Sequence, residues 1–185
     1  MKSLIDVPAD GVTFGMLSMF VKERFTEEVL DCICEILSAC PNANFICIGS
    51  EDISAKVSYM ESKGFADRRR WLGLQREPFW ALKYFNEIPR GSSQSIRECM
   101  SCGIAALVMN YSEDHHESVK ADIVGEYYAV MENNTQEYVR RAIEWIESPE
   151  SRRSTAKDLF ERAKKHYSVE KFVEEMTTYM ASFLN

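Results

Sequence analysis

The chain has 185 residues, of which 45% are hydrophobic and 28% charged, and its formal net charge is −7 at pH 7. This size and composition are typical of one globular domain with a sizeable core. The acidic balance argues against a nucleic-acid partner, which would require clustered positive charge. The beginning of the chain does not resemble a secretory signal. There is also no apolar run of the roughly 20 residues that a membrane-spanning helix requires. We therefore expect a cytoplasmic protein without a transmembrane segment.

The first half of the chain alternates apolar runs of strand length with segments of helical periodicity. Thr26 is a good N-cap followed by acidic residues, so a helix is expected to begin there and to end before Pro41. Gly64 is expected to end the next helix. This alternation predicts βαβ units and a parallel sheet. The predicted elements are a strand within 12–20, a helix over 26–40, a strand over 44–49, a helix over 53–63, a strand over 70–73 and a helix over 78–84.

The second half begins with a loop at 90–95 that leads into a helix closed by Gly103. An apolar strand is predicted over 104–109, and another apolar segment lies at 123–131. Helices are then expected over 135–146, with Thr135 as the cap, and over 151–166. A last helix is expected to begin at Ser168 and to carry apolar residues at helical spacing. That stripe either packs on this domain's own core or is partly uncovered as a partner surface. It consists of Val169, Phe172, Val173, Met176, Met180 and Phe183.

The loop before the helix that Gly103 closes has the chemistry of a phosphate site. A helix N-terminus presents unpaired N–H groups and a partial positive charge, to which phosphate binds readily. Gly91 lets the backbone approach closely, and Ser92, Ser93 and Ser95 offer hydroxyl donors. The same residue types are also good helix caps, so both interpretations stay open. Glu98 either accepts the ribose hydroxyls of a nucleotide or is a solvated helical glutamate.

The segment GSSQSIRECMSCGIAALV at 91–108 resembles the donor-site signature of GT-B glycosyltransferases. In that family a glycine and hydroxyl-rich loop leads into a helix with an acidic residue, followed by glycine and an apolar strand. The spacing from Glu98 to Gly103 matches. The similarity extends to 14–45, 64–73 and 166–172, so it covers most of the chain. It implies an α/β fold with a Rossmann-like, doubly wound parallel sheet, the C-terminal half of a GT-B enzyme.

Within that family the chain looks most like O-linked N-acetylglucosamine transferases and bacterial cytoplasmic N-glucosyltransferases. Many retaining members carry a second acidic residue where this chain has Arg90. The loop at 91–95 looks instead like that of the inverting, metal-independent branch. The resemblance thus implies no metal and no cofactor, with the nucleotide sugar as substrate. The implied donor-binding residues are Lys22 or Arg24 on the diphosphate, Gly91, Ser92, Ser93, Gln94, Ser95, Glu98, and His115 or His116 at the phosphate or sugar.

The resemblance implies a domain that binds a nucleotide sugar, with a UDP-sugar as the expected donor. Residues 1–10 are expected to be a linker or a residual N-terminal segment, 11–167 the donor domain, and 168–185 a helix that returns to an N-terminal half. That half is expected in the same chain or in another polypeptide, so this chain alone should be inactive. The acceptor, whether protein, glycan or lipid, stays open, as does peripheral membrane attachment through the full-length enzyme. The alternative is a non-catalytic nucleotide-binding or protein-interaction module.

Three further patterns have structural explanations. Cysteines inside apolar-periodic segments are expected to be free and buried, as small hydrophobes. Cys99 and Cys102 lack the further ligands of a zinc site, and one face of a packed helix is expected for them. The arginine runs at 68–70 and 152–153 are expected to be solvated faces. The cysteines in apolar-periodic segments are Cys32, Cys34 and Cys47.

Overall fold

The computed structural model describes residues 11–17, 26–49, 54–75, 93–110, 123–125, 129–131 and 134–181. Strands and helices alternate along most of this part of the chain. The strands are β1 (Val12–Leu17), β2 (Ala43–Ile48), β3 (Arg69–Trp71), β4 (Val108–Asn110) and β5 (Ala129–Met131). The helices are α1 (Glu27–Ala39), α2 (Ser54–Ser62), α3 (Ser93–Ser101), α4 (Thr135–Glu147), α5 (Pro149–Tyr167) and α6 (Val169–Ala181). The helix predicted over 78–84 lies outside these residues.

The strands pair in parallel, as the sequence predicted. β1 pairs with β2 over all six residues, beginning with Val12 beside Ala43. β2 continues to β3, and β4 pairs separately with β5. Within the described segments the strands form two hydrogen-bonded groups, β1-β2-β3 and β4-β5. Parallel strands need crossover connections, which usually cover the faces of the sheet with helices.

The segment leading into β4 is buried on both sides. Ala105 and Leu107 belong to a core formed with α1, α4, β1 and β2, whereas Ala106 and Val108 belong to a second core formed with α3 and α5. Successive side chains of an extended segment point to opposite faces, so this alternation places a helix layer on each side. The doubly wound α/β fold is therefore confirmed. The regular strand is shorter than predicted, because β4 begins only at Val108.

Large aromatic and aliphatic side chains fill the first core. The rings of Phe14 and Phe45 have centroids 5.3 Å apart, and the Trp71 ring meets Phe45 edge-on at 5.8 Å. Ile33 and Leu37 of α1 are completely buried over them. Each such side chain contributes about 1.5–3 kcal/mol by leaving water. This packing holds β1 and β2 in register under α1.

Capping residues set the beginnings of the long helices. Thr26 accepts a hydrogen bond from the N–H three residues on, at 3.4 Å, as predicted. The prediction of Thr135 as the cap of α4 is wrong, because the side chain of Asn134 accepts that bond at 3.2 Å and Thr135 is already helical. Ser148 caps α5, which begins at Pro149, where proline is favoured at a first helical position.

One arginine from each of the two runs, Arg68 and Arg152, donates hydrogen bonds to carbonyl oxygens at the C-terminal end of a helix. Arg68 donates to the carbonyl oxygen of Cys40 at 2.9 Å and to that of Leu37, at the end of α1. Arg152 donates to two carbonyl oxygens at the end of α4. The prediction of solvated faces is therefore wrong for these two, although Arg153 is exposed. The last carbonyls of a helix lack partners within it, so a cationic donor there is doubly favourable.

The cysteines are all free. Cys32, Cys34 and Cys47 are buried, as predicted, and burial together with nearby acidic residues raises the pKa of the Cys32 thiol to about 11. Cys99 is also buried, but Cys102 is exposed in the turn after α3. The prediction that both residues lie on one face of a packed helix therefore holds for Cys99 alone. Partial desolvation and the charge of Glu98 raise the pKa of Cys102.

The apolar stripe of α6 is uncovered where its side chains are described. Val169 is 74% exposed, Phe172 63%, Val173 54% and Met176 43%. Of the two alternatives for this stripe, the structure thus supports the uncovered one. In the described part of the chain no helix combines the length and apolarity needed to span a membrane.

Candidate nucleotide site

The predicted donor residues divide into two groups. Ser93 is the first residue of α3, and Gln94, Ser95 and Glu98 lie on the same helix. The others lie outside the described residues, and their roles stay predictions. They are Lys22, Arg24, Gly91, Ser92, His115 and His116.

α3 carries the carboxylate of Glu98 at the edge of its solvent-facing side. The amide nitrogen Nε2 of exposed Gln94 donates to Oε1 of half-buried Glu98 at 3.0 Å. This bond restrains the carboxylate and leaves its second oxygen to accept hydrogen bonds from a ligand. Ser95 is 3% exposed, so its hydroxyl is covered by protein in this structure. Of the side chains described on α3, Glu98 is the better placed to meet a polar ligand.

The packing of α3 decides where Glu98 points. Ile96 and Met100 are completely buried against Leu159 and Ala163 of α5. Residues at i, i+3 and i+4 share a helix face, so burying these side chains turns Gln94 and Glu98 away from the core. Gly103, with φ of +69°, ends the helix and directs the chain into the buried segment before β4.

A second feature of α3 had no sequence signal. The Arg97 guanidinium lies 5.0 Å from the centre of the Tyr167 ring, at the end of α5. Arg162 Nε donates to the carbonyl oxygen of Ile123 at 2.7 Å, and the Tyr167 hydroxyl donates to the same oxygen at 3.5 Å. These contacts join α3, the end of α5 and the segment 123–125. The partners are up to 70 residues apart in sequence, which no local pattern reveals.

Comparison with protein-family models and with curated proteins finds no match. Solved structures do match. A Staphylococcus aureus TarM variant in complex with Fondaparinux, α-GlcNAc-glycerol and UDP has a TM-score of 0.74 at 14% identity, over 94% of this chain and 37% of its own. Anabaena HepE with UDP and glucose has a TM-score of 0.73 at 15% identity, over 94% and 49%. The C-terminal domain of the group 1 glycosyltransferase LpcC from Francisella tularensis has a TM-score of 0.69 at 14% identity, over 85% and 87%.

These matches decide the fold. The chain has the Rossmann-like fold of one domain of these GT-B glycosyltransferases. It spans 37% of the TarM chain and 49% of the HepE chain, and it corresponds in extent to the C-terminal domain of LpcC. Identities of 14–15% show the fold alone, so the fold prediction is confirmed, whereas the O-N-acetylglucosamine or N-glucosyl type stays a prediction.

The GT-B fold has a general place for a ligand. In doubly wound sheets ligands bind at the carboxyl ends of the strands, where the strand order reverses. β1 belongs to one strand group of this chain and β4 to the other. The segment after β1 contains Lys22 and Arg24, and the segment after β4 contains His115 and His116. Whether these residues share a site with the N-terminus of α3 stays a prediction.

Proposed function

We propose that this chain is the donor-binding half of a glycosyltransferase and takes a UDP-sugar at the N-terminal end of α3. The observation that carries the proposal is Glu98, held by Gln94 on α3 within a fold shared with TarM and HepE. Both of those structures contain UDP. The donors of the two enzyme types that the sequence resembles, UDP-N-acetylglucosamine and UDP-glucose, are the first to test.

Each part of the donor has a proposed partner. The free oxygen of Glu98 accepts hydrogen bonds from the ribose hydroxyls, and the Gln94 amide keeps the carboxylate in place. The unpaired N–H groups at the start of α3 face the diphosphate, where the helix dipole favours negative charge. Gly91 and Ser92 precede this helix start in the sequence, and either Lys22 or Arg24 supplies the remaining positive charge.

The test of the ribose assignment is calorimetry of UDP with the unchanged chain and with Glu98→Ala. Loss of a charged acceptor costs about 1–3 kcal/mol. A tenfold change in Kd corresponds to about 1.4 kcal/mol, so we expect roughly 5- to 150-fold weaker binding. Glu161→Ala is the matched control, because Glu161 is an exposed helical glutamate on α5. Equal UDP affinity in the Glu98 and Glu161 variants would disprove the ribose assignment.

We further propose that the diphosphate is held without a metal ion, by basic side chains and backbone N–H groups. UDP affinity should then be the same in EDTA and in excess magnesium or manganese. Calorimetry in the three conditions measures this directly. Binding that disappears on chelation and returns with either ion would rule out the metal-free site.

The uncovered face of α6 supports a role for a second half. TarM and HepE are two to three times longer than the part that this chain matches. We propose that Val169, Phe172, Val173 and Met176 contact an N-terminal half, in cis or in trans. Because catalysis requires both substrates in near-attack geometry, this chain alone should bind donor without transferring sugar. A radiolabelled-donor assay with peptide, glycan and lipid acceptors checks this, and robust turnover by the chain alone would contradict it.

The alternative, a non-catalytic module of the same fold, predicts a different outcome. A protein-interaction module that has lost its ligand would show no stabilisation by any nucleotide. Ligand binding to the native state raises stability by RT ln(1 + [L]/Kd), so thermal shift across uridine, adenosine, guanosine, cytidine and thymidine diphosphates is sensitive to it. No shift with any of them would favour that alternative over the donor domain.

A further inference from the structure

A pocket lies at the C-terminal end of α3, whereas the proposed diphosphate site is at the start of this helix. It is formed where the turn after α3 meets the outer face of α5, and its volume is about 450 Å³. Cys102 and Gly103 line it on one side, and Arg153, Ala156, Lys157 and Phe160 on the other. A nine-residue helix is roughly 13 Å long, which separates this α3–α5 pocket from the helix start.

The cations of the pocket have no ion-pair partner within the described residues. Arg153 and Lys157 are exposed and four residues apart on α5, so they stand side by side on the helix. Within the described residues neither makes a hydrogen bond or an ion pair. By contrast, Arg140 on α4 is paired with Glu137 and Glu144. Like charges at this spacing repel each other, and a bound anion would relieve that repulsion.

The pocket also offers apolar surface. Phe160 is 40% exposed although it is a large aromatic side chain, and half-buried Ala156 lies one turn before it and also lines the pocket. The methylene stem of Lys157 adds further apolar surface beneath its charged head. A ligand bound by electrostatic attraction alone would gain nothing from this apolar surface. The combination suits a molecule that has an oxyanion at one end and an apolar body at the other.

We infer that the α3–α5 pocket binds small organic anions, with the oxyanion between Arg153 and Lys157 and the apolar body against Phe160. The competing explanation is that the two cations only offset the negative end of the α3 dipole. The α3 carbonyls of Cys99 and Met100 already accept bonds from the N–H groups of Ile104 and Gly103. The cations therefore do not have to satisfy these two carbonyls and are available to a ligand.

Cys102 provides a reporter inside the pocket. It is exposed, whereas the other five cysteines are buried, so a thiol reagent should label one site in the folded protein. Two disulfide reagents differ in the relevant property: dithiobis(nitrobenzoate) is an aromatic dicarboxylate, and 4,4′-dithiodipyridine is neutral. The thiolate of Cys102 attacks either disulfide, releases one aromatic thiolate and retains the other half as a mixed disulfide. The ratio of the two rates cancels any change in the thiol pKa.

The decisive comparison is between Arg153→Gln/Lys157→Gln and the control Lys164→Gln/Lys165→Gln, which removes two exposed lysines further along the same helix. The measured quantity is the labelling rate of Cys102 with the anionic reagent divided by its rate with the neutral reagent. We expect this ratio to fall about threefold or more in the pocket variant and to stay near the original value in the control. The reason is that charges act over a screened range of about 8–10 Å. Equal ratios in the two variants would overturn the inference. Labelling of a single thiol verifies that each variant is folded, and Arg153→Lys/Lys157→Arg should restore the ratio.

Protection measures binding itself. With the neutral reagent, 4-phenylbutyrate should slow labelling of Cys102, whereas the neutral 4-phenyl-1-butanol should protect less and the pocket variant should lose the difference. Inorganic phosphate tests charge without an apolar body and should protect weakly. Protection by neither organic probe would overturn the inference. Protection is measured without nucleotide, so its outcome does not depend on whether UDP binds at the start of α3.

Discussion

Arg152 and Arg153 are adjacent on α5 yet have opposite surroundings, and replacing each by alanine separates their roles. Arg152 is half-buried, and its Nη1 donates to the carbonyl oxygens of Trp145 at 2.6 Å and Ile146 at 3.2 Å. These carbonyls belong to the last turn of α4, where a helix runs out of its own N–H donors. A hydrogen bond from a charged donor contributes about 1.5–3 kcal/mol. One nitrogen serves both oxygens here, and alanine favours helix slightly, so we expect Arg152→Ala to cost about 1–2 kcal/mol.

The control is Arg153→Ala, because the two positions share a helix and the same change of residue. Arg153 is exposed, so its replacement should change the free energy of unfolding by no more than about 0.5 kcal/mol. Urea unfolding followed by circular dichroism measures both variants. A domain of this length shifts in Tm by about 2–4 °C per kcal/mol, so Arg152→Ala should melt roughly 2–8 °C lower. Equal unfolding free energies for the two variants would show that the side chain does not close the end of α4.

Two further predictions concern charge and the uncovered helix. Hydrogen bonds from Arg140 and then Arg141 hold the pKa of Glu137 at about 2, against an ordinary value of 4.5. The contribution of Glu137 to the free energy of unfolding is therefore fully present above about pH 4.5 and is lost as pH falls toward 2. Unfolding measured over a series of pH values should show a smaller pH dependence for Glu137→Gln than for the unchanged chain in that window. The same pH dependence in both proteins would contradict this. Phe172→Glu should leave the free energy of unfolding nearly unchanged, because this side chain is 63% exposed, but should weaken association with an N-terminal half in analytical ultracentrifugation. A marked loss of stability would mean that Phe172 packs on this domain.

Local chemistry made much of the fold predictable. Thr26 capped a helix and Gly64 ended one because capping side chains and positive φ act over a few residues. Apolar runs of strand length predicted β1 and β2, since strands buried on both faces need no polar alternation. The helix predicted over 151–166 began two residues earlier, at Pro149, because Ser148 supplied the cap.

The sequence also indicated the candidate site, because the elements of a donor loop are contiguous. Ser93, Gln94, Ser95 and Glu98 fall on one predicted helix, and α3 has that place in the structure. The sequence could not show that Ser95 is covered while Glu98 remains half-buried and bonded to Gln94. Which face of α3 is buried depends on its packing against α5, and α5 lies about 50 residues further along the chain.

Periodicity, caps and glycines by themselves predicted βαβ units, a parallel sheet and a helix after a glycine and serine-rich loop, and the resemblance of 91–108 implied the doubly wound arrangement. The tertiary structure alone decided which side chains meet across long separations. Arg68 reaches the end of α1, Arg97 lies over the Tyr167 ring, and the described part of the α6 stripe remains uncovered. The physical reason is the separation along the chain over which each kind of interaction acts. Backbone propensities act within a few residues, whereas a cation finds a distant carbonyl, and an apolar face finds or lacks a cover, only after the layers have assembled.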